Sequence, residues 1–153
     1  MMPRGDNQES VNVEGTPAYF LKTARLGFRT WSMDDLPLAL ALWGDRDVTR
    51  LIGGPFSEPQ VRARLAQEID CQRAHGLQYW PLFLLAGGAF TGCCGLRPYK
   101  LDERIFELGF HFCVAHWGKG LAIESARAVI AHAFGALNVR GLFAGHHPEN
   151  FAS

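Results

Sequence analysis

The chain has 153 residues, 48% hydrophobic and 20% charged, which amounts to one globular domain with apolar material enough for a core without disulfide staples. Fifteen Lys and Arg balance fifteen Asp and Glu, so the formal charge is zero and the electrostatic basis for a general nucleic-acid or anionic-membrane binder is missing. The longest apolar stretch, 36–43, is far below the ~18 residues that span a bilayer, so no membrane partner is expected. Residues 1–22 carry no signal-peptide core, are polar and punctuated by Gly and Pro, and read as a flexible leader; the cytoplasm is the expected address. The domain proper begins at Thr23 and runs to Ser153.

Leu26 and Phe28 alternate with Arg25, Gly27 and Arg29, the pattern of a half-buried strand. Ser32 stands three residues before Asp35, a capping-box signature, and the Leu- and Ala-rich run 36–43 with an early Pro37 predicts a helix. After the break at Gly53-Gly54-Pro55, Ser57 and Gln60 open a second helix. Val61, Leu65 and Ile69 form its apolar stripe, and Arg62, Arg64, Glu68 and Arg73 take the other side. Two apolar runs, 79–86 and 89–96, are separated only by Gly87-Gly88 and predict a hairpin. A further strand follows from Ile105, with Phe106, Leu108, Phe110 and Phe112 on one face and Glu107, Gly109 and His111 on the other. The period then changes to helical, with Ala122, Ala126, Ile130, Phe134 and Leu137 on one face, and 141–146 reads as a last short strand. The order predicts an α+β fold, a mainly antiparallel sheet with one β-α-β crossover. Cys71, Cys93, Cys94 and Cys113 are too few and too oddly spaced for a disulfide framework; without C-x-x-C or H-x-x-x-H spacing, no metal is expected.

The chemistry concentrates where a strand ends in Trp117-Gly118-Lys119-Gly120 and a helix begins at once. First-turn amides have no intrahelical acceptor, and with the positive end of the helix dipole they suit a phosphate or diphosphate. Glycine at 118 and 120 keeps side chains out of the anion's way, and Lys119 either adds a counter-charge or points to solvent. The pattern is neither a Walker loop, since Gly120 follows Lys119, nor a dinucleotide loop, since Ile123 stands where the third glycine belongs. On the preceding strand Glu107 and His111 share one face and are the groups there that can take up a proton, Glu107 the candidate general base and His111 its rival.

Glu107-Leu108-Gly109-Phe110, Trp117-Gly118-Lys119-Gly120-Leu121-Ala122 and Glu124-Ser125 resemble the acetyl-CoA-binding core of the GNAT N-acetyltransferase superfamily, in its ribosomal-protein N-acetyltransferase-like branch. Thr23-Ala24-Arg25-Leu26 with Arg29 and Asp34-Asp35-Leu36 is similar to the branch's first strand and helix, and 147–153 to its Pro-x-Asn-x-x-Ser loop. The resemblance covers residues 23–153 and implies acetyl transfer from acetyl-CoA, as cosubstrate, to a primary amine such as a protein N-terminus or a small amine. It implies that the amides of Gly118, Lys119, Gly120, Leu121 and Ala122, beside Trp117, hold the CoA diphosphate, and that the backbone of Phe112, Cys113 and Val114 pairs with the pantetheine arm. It further implies that Asn150 touches the pantetheine or acetyl end, that Ser153 donates to the departing thiolate, and that Glu107 is the base. Relatives continue past the Asn–Ser loop with a helix and a strand hairpin, so the domain reads as incomplete at its C-terminus, its last strand an exposed edge through which a homodimer would form. A non-catalytic acyl-CoA-binding module and an inactive remnant are the alternative readings.

Overall fold

The computed structural model of the chain describes residues 18–145. Its framework is a six-stranded sheet whose spatial order follows the chain: β1 (Leu21–Lys22), β2 (Leu26–Phe28), β3 (Tyr79–Leu84), β4 (Phe90–Lys100), β5 (Ile105–Phe112) and β6 (Gly141–Phe143). Each neighbouring pair is antiparallel except β5 and β6, which run parallel. Helices α1 (Leu36–Trp43), α2 (Arg46–Thr49) and α3 (Glu58–His75) lie between β2 and β3 in the chain, and α4 (Leu121–Ala136) connects β5 to β6. This is the α+β plan with one crossover that the sequence predicts.

The expected caps form. Ser57 accepts from the Gln60 amide at 3.4 Å while its own amide donates to Gln60 Oε1 at 2.9 Å, opening α3. The Ser32 amide donates to Asp35 Oδ2 at 2.9 Å, but a 3-10 turn, Met33–Asp35, comes before α1. Asp35 also receives both arms of Arg29, at 2.8 and 3.0 Å. The sheet has an apolar core on each face. Leu26, Phe28, Trp80, Leu82, Cys94, Leu96 and Phe106 pack under α4, whereas Trp31, Leu42, Trp43, Val61, Leu65, Tyr79 and Cys93 pack under α1 and α3.

Four expectations are corrected. Leu21–Lys22, inside the expected leader, pair with Phe28 and Gly27 as a strand, and the ring of Tyr19 covers Gly27. The last strand ends at Phe143, and His146 lies outside the described residues. Helix α4 buries Leu121, Ser125, Val129 and Ala133, one residue out of phase with the predicted stripe; Ile130 and Phe134 are 39% and 50% exposed. Small side chains at 125 and 133 let the helix lie close to the sheet, and the Ser125 hydroxyl is satisfied by the Ala122 carbonyl at 3.0 Å. Finally, Glu68 is buried and Arg64 partly so, on the face predicted to meet solvent.

Glu68 ties α3 to the sheet. Its Oε1 accepts the Tyr79 amide and its Oε2 accepts Arg64 Nε, both at 2.8 Å, with Arg97 at 3.8 Å. Its carbonyl accepts Gln78 Nε2 at 2.7 Å, and Gln78 Oε1 in turn accepts the Trp31 amide at 2.8 Å. Removing one member of such a buried set leaves the others unpaired. Glu68→Ala is expected to lower unfolding free energy by about 3–5 kcal/mol in urea titrations; a loss below about 1 kcal/mol would show that the network contributes little.

Candidate active site

Beyond β5 the chain makes a 3-10 turn, Val114–His116, and then the Trp117–Gly120 turn that opens α4. Trp117 Nε1 donates to the Phe112 carbonyl at 2.7 Å and draws this segment into a closed loop. Gly118 and Gly120 have φ of 73° and 79°, a left-handed backbone that a residue with a Cβ rarely adopts. Gly120 is the N-cap, and among the described residues no side chain caps the helix, so the amides that follow are left for a ligand or water. Leu121 combines two functions: its side chain is core while its amide belongs to the open turn. Lys119 is exposed.

A clamp holds this turn from below. Arg25 Nε donates to Glu124 Oε1 at 2.7 Å, and Arg25 Nη1 donates to the Lys119 carbonyl at 3.0 Å. Glu124 Oε2 accepts the Arg25 amide at 2.9 Å and the Thr23 hydroxyl. Burial pushes the Glu124 carboxyl upward, but these donors and the Arg25 charge outweigh it and hold the group below the usual carboxylate range.

Sheet register defines the second part of the site. The Cys113 amide donates to the Thr91 carbonyl at 2.9 Å, so by the alternation of an antiparallel ladder residues 107, 109, 111 and 113 turn their backbone groups toward β4. Residues 108, 110 and 112 turn theirs the other way, and β6 meets β5 only at Ile105, Phe106 and Glu107. Among the described residues the two strands therefore part, leaving an open backbone edge from Leu108 to the Phe112 amide. The expected edge at Phe112–Val114 overlaps this one at Phe112. The Phe112 carbonyl is taken by Trp117, the Cys113 amide by Thr91, and the Cys113 and Val114 carbonyls by the amides of His116 and Trp117. Alternation counted from the β4 register is the signal that places the backbone groups of Leu108 and Phe110 on the outer edge.

The face shared by Glu107, Gly109 and His111 is the third part. Glu107 is half-buried at the last β5–β6 pair, and none of the ion pairs among the described residues uses it. The Tyr79 hydroxyl occupies the space that a side chain at 109 would need, which accounts for the glycine. Arg97 lies over the Tyr79 ring at 4.4 Å and Arg64 over Trp43 at 4.7 Å. Burial pushes the Tyr79 phenol well above its usual range, so it stays neutral. His111 Nδ1 accepts from Trp43 Nε1 at 3.1 Å; burial, with Arg64 and Arg97 nearby, pushes its pKa down to about 3. An imidazole so held is a poor proton acceptor at neutral pH, which leaves Glu107 without its rival. The four cysteines are free, and burial pushes every thiol up, Cys94 to about 12, so none is a nucleophile of ordinary strength.

Gly118–Ala122, Trp117 and the open β5 edge thus come together around one end of α4, and Glu107 stands at the far end of that edge. Asn150 and Ser153 lie outside the described residues. Tyr79 belongs to the site's surroundings without a local motif, and Thr23 and Arg25, part of the Thr23–Leu26 match, carry no local sign of their contact with Glu124. Among the described residues no cluster of metal-ligating side chains forms, and no helix is long and apolar enough to cross a membrane.

Residues 25–153 match the family model described as the acetyltransferase (GNAT) domain. The chain is 27% identical over 135 residues to the Bacillus licheniformis protein described as "Uncharacterized N-acetyltransferase p20", covering 87% of this chain and 76% of the relative. A crystal structure of a GNAT-family acetyltransferase from Bacillus anthracis superposes with a TM-score of 0.77 at 25% identity, over 87% of this chain and 76% of that one. The ribosomal-protein α-N-acetyltransferase RimL, solved in complex with coenzyme A, shares the fold with a TM-score of 0.73 at 16% identity, over 85% of this chain and 75% of its own.

The titration directions set a pH dependence. His111, His116 and His132 all have lowered pKa values in the folded chain, so between their folded values and the ordinary ~6.5 the unfolded chain binds more protons. Their contribution is complete above ~6.5 and declines as pH falls below it. The lowered Glu124 carboxyl acts in the same direction, its contribution fading further into acid. Unfolding free energy measured in urea is expected to drop between pH 7 and pH 4.5, with a shallower drop in His111→Gln; a flat wild-type profile would contradict the buried-histidine assignment.

Proposed function

The chain belongs to the acetyltransferase (GNAT) domain family, enzymes of acyl transfer from acetyl-CoA, and on that premise we propose that it acetylates a primary amine by direct attack, with Glu107 taking the amine's proton. The observation that carries this reading is the meeting of the uncapped, left-handed Gly118–Gly120 turn with the open Leu108–Phe112 edge. The residues present fit the cosubstrate. The amides from Gly118 to Ala122 would hold the diphosphate, and the outward backbone groups of Leu108 and Phe110, with the Phe112 amide, would pair with the amides of the pantetheine arm. Acetyl-CoA supplies the thioester carbonyl to which the amine adds, with release of free thiol.

Glu107 accepts the amine's proton at its carboxylate, directly or through one water, from a position on the α1/α3 face of the sheet just where β6 leaves β5. Asn150 and Ser153 keep the roles that the family resemblance implies, Asn150 orienting the acyl end and Ser153 donating to the departing thiolate. A protein N-terminus or small amine is the proposed acceptor, and the cytoplasm its place of action. The outer edge of β6, last in the sheet among the described residues, is where a second copy would pair.

Acetyl-CoA is expected to raise the melting temperature, and a panel of amines including N-terminal peptides to release free thiol with at least one member. Glu107→Gln should lower kcat by about 100-fold or more with the acetyl-CoA Kd unchanged. An unchanged kcat would remove Glu107 from the role; stabilisation by acetyl-CoA without thiol release from any amine would leave a binding module.

A further inference from the structure

We infer that Arg25 and Glu124 form a positioning and charge-compensating clamp for diphosphate binding, an inference that rests on the Gly118–Ala122 turn being the CoA diphosphate site. A carboxylate in the first turn of α4 favours the helix, because it faces the positive end of the dipole, but the same charge repels an arriving anion. Glu124 stands in that first turn and lines, with Gly120 and Arg127, a cleft of about 580 Å³ that opens beside the turn. Its charge is offset where it stands. Oε1 meets Arg25 Nε and Nη2, both at 2.7 Å, and Oε2 meets the Arg25 amide and the Thr23 hydroxyl. A cation lies on one oxygen, two neutral donors fill the other, and little of the carboxylate is left to face an anion.

The second effect is geometric. Arg25 Nη1 donates to the Lys119 carbonyl at 3.0 Å. In a trans peptide the carbonyl and the following N–H point in opposite directions, so a carbonyl fixed on Arg25 aims the Gly120 N–H away from it, to the outer side of the turn. Gly120 lies in left-handed backbone at φ 79°, where a glycine peptide is otherwise free to rotate. One guanidinium therefore cancels the repulsive charge and sets the orientation of a proposed donor. Lysine cannot do both, since its single ammonium lacks the fork that spans carboxylate and carbonyl.

The test measures CoA binding by titration calorimetry and acetyl transfer from two donors: acetyl-CoA, and S-acetyl-N-acetylcysteamine, which has no diphosphate. Arg25→Gln should raise the CoA Kd and the acetyl-CoA KM by about tenfold or more, with kcat within about twofold. Arg25→Lys should fall between this variant and wild type. Adding Glu124→Gln to Arg25→Gln should recover part of the lost affinity, because the repulsive charge goes with its partner. For the truncated donor kcat/KM should be the same in all four proteins. A CoA Kd in Arg25→Gln equal to that of wild type, a double variant no tighter than the single, or an equal loss with the truncated donor would each overturn the inference while leaving the acetyl-CoA reading intact. Wild-type protein that fails to bind CoA would instead overturn that reading and the clamp with it.

Discussion

Two parallel strands cannot be joined by a tight turn; the chain must travel back along the sheet before it can pair again, and here α4 makes that journey between β5 and β6. The rest of the site depends on this constraint. The helix must begin at the C-terminal end of β5, so its uncapped amides lie next to the strand's last residues. The parallel pairing lasts only from Ile105 to Glu107, and among the described residues the outward groups of Leu108 and Phe110 and the Phe112 amide are left open beside those amides. Donors for an anion and donors for an extended amide-bearing chain thus adjoin one another because of topology, without a motif that spans both.

The chain's zero net charge conceals local arrangements that matter more than the sum. Arg25 compensates Glu124 beneath the turn, and Arg64 and Arg97 flank a buried Glu68 on the opposite face. Those same two arginines help keep His111 neutral, while the Trp43 indole occupies its Nδ1. The outcome is a division of labour among ionisable groups. Most carboxylates near the site are committed to ion pairs that hold the fold, the histidine is withdrawn from proton chemistry, and Glu107 is left outside the described ion pairs.

Much of this was legible one element at a time. Ser57 with Gln60, the Gly87-Gly88 hairpin and the change of period after Gly120 each rest on contacts within a few residues, and the structure contains all three. What failed rests on contacts made far along the chain. Arg64 and Glu68 are four apart on α3 and look like a solvated ion pair, yet Glu68 accepts the amide of Tyr79 from the sheet. The stripe predicted for α4 includes the large Ile130 and Phe134, whereas the face buried on the sheet alternates Leu121 and Val129 with the small Ser125 and Ala133, which permit close approach.

The amino-acid order by itself determined the element types, the crossover and the glycine-bracketed helix entry, because caps, turns and periodicity are short-range properties of the backbone. Only the tertiary structure decided which backbone edge of β5 stays open, which imidazole loses its basicity and which arginine closes under the turn. Each of those depends on register or on a partner as far away as the 99 residues separating Arg25 from Glu124, and a local pattern contains no information about such a meeting.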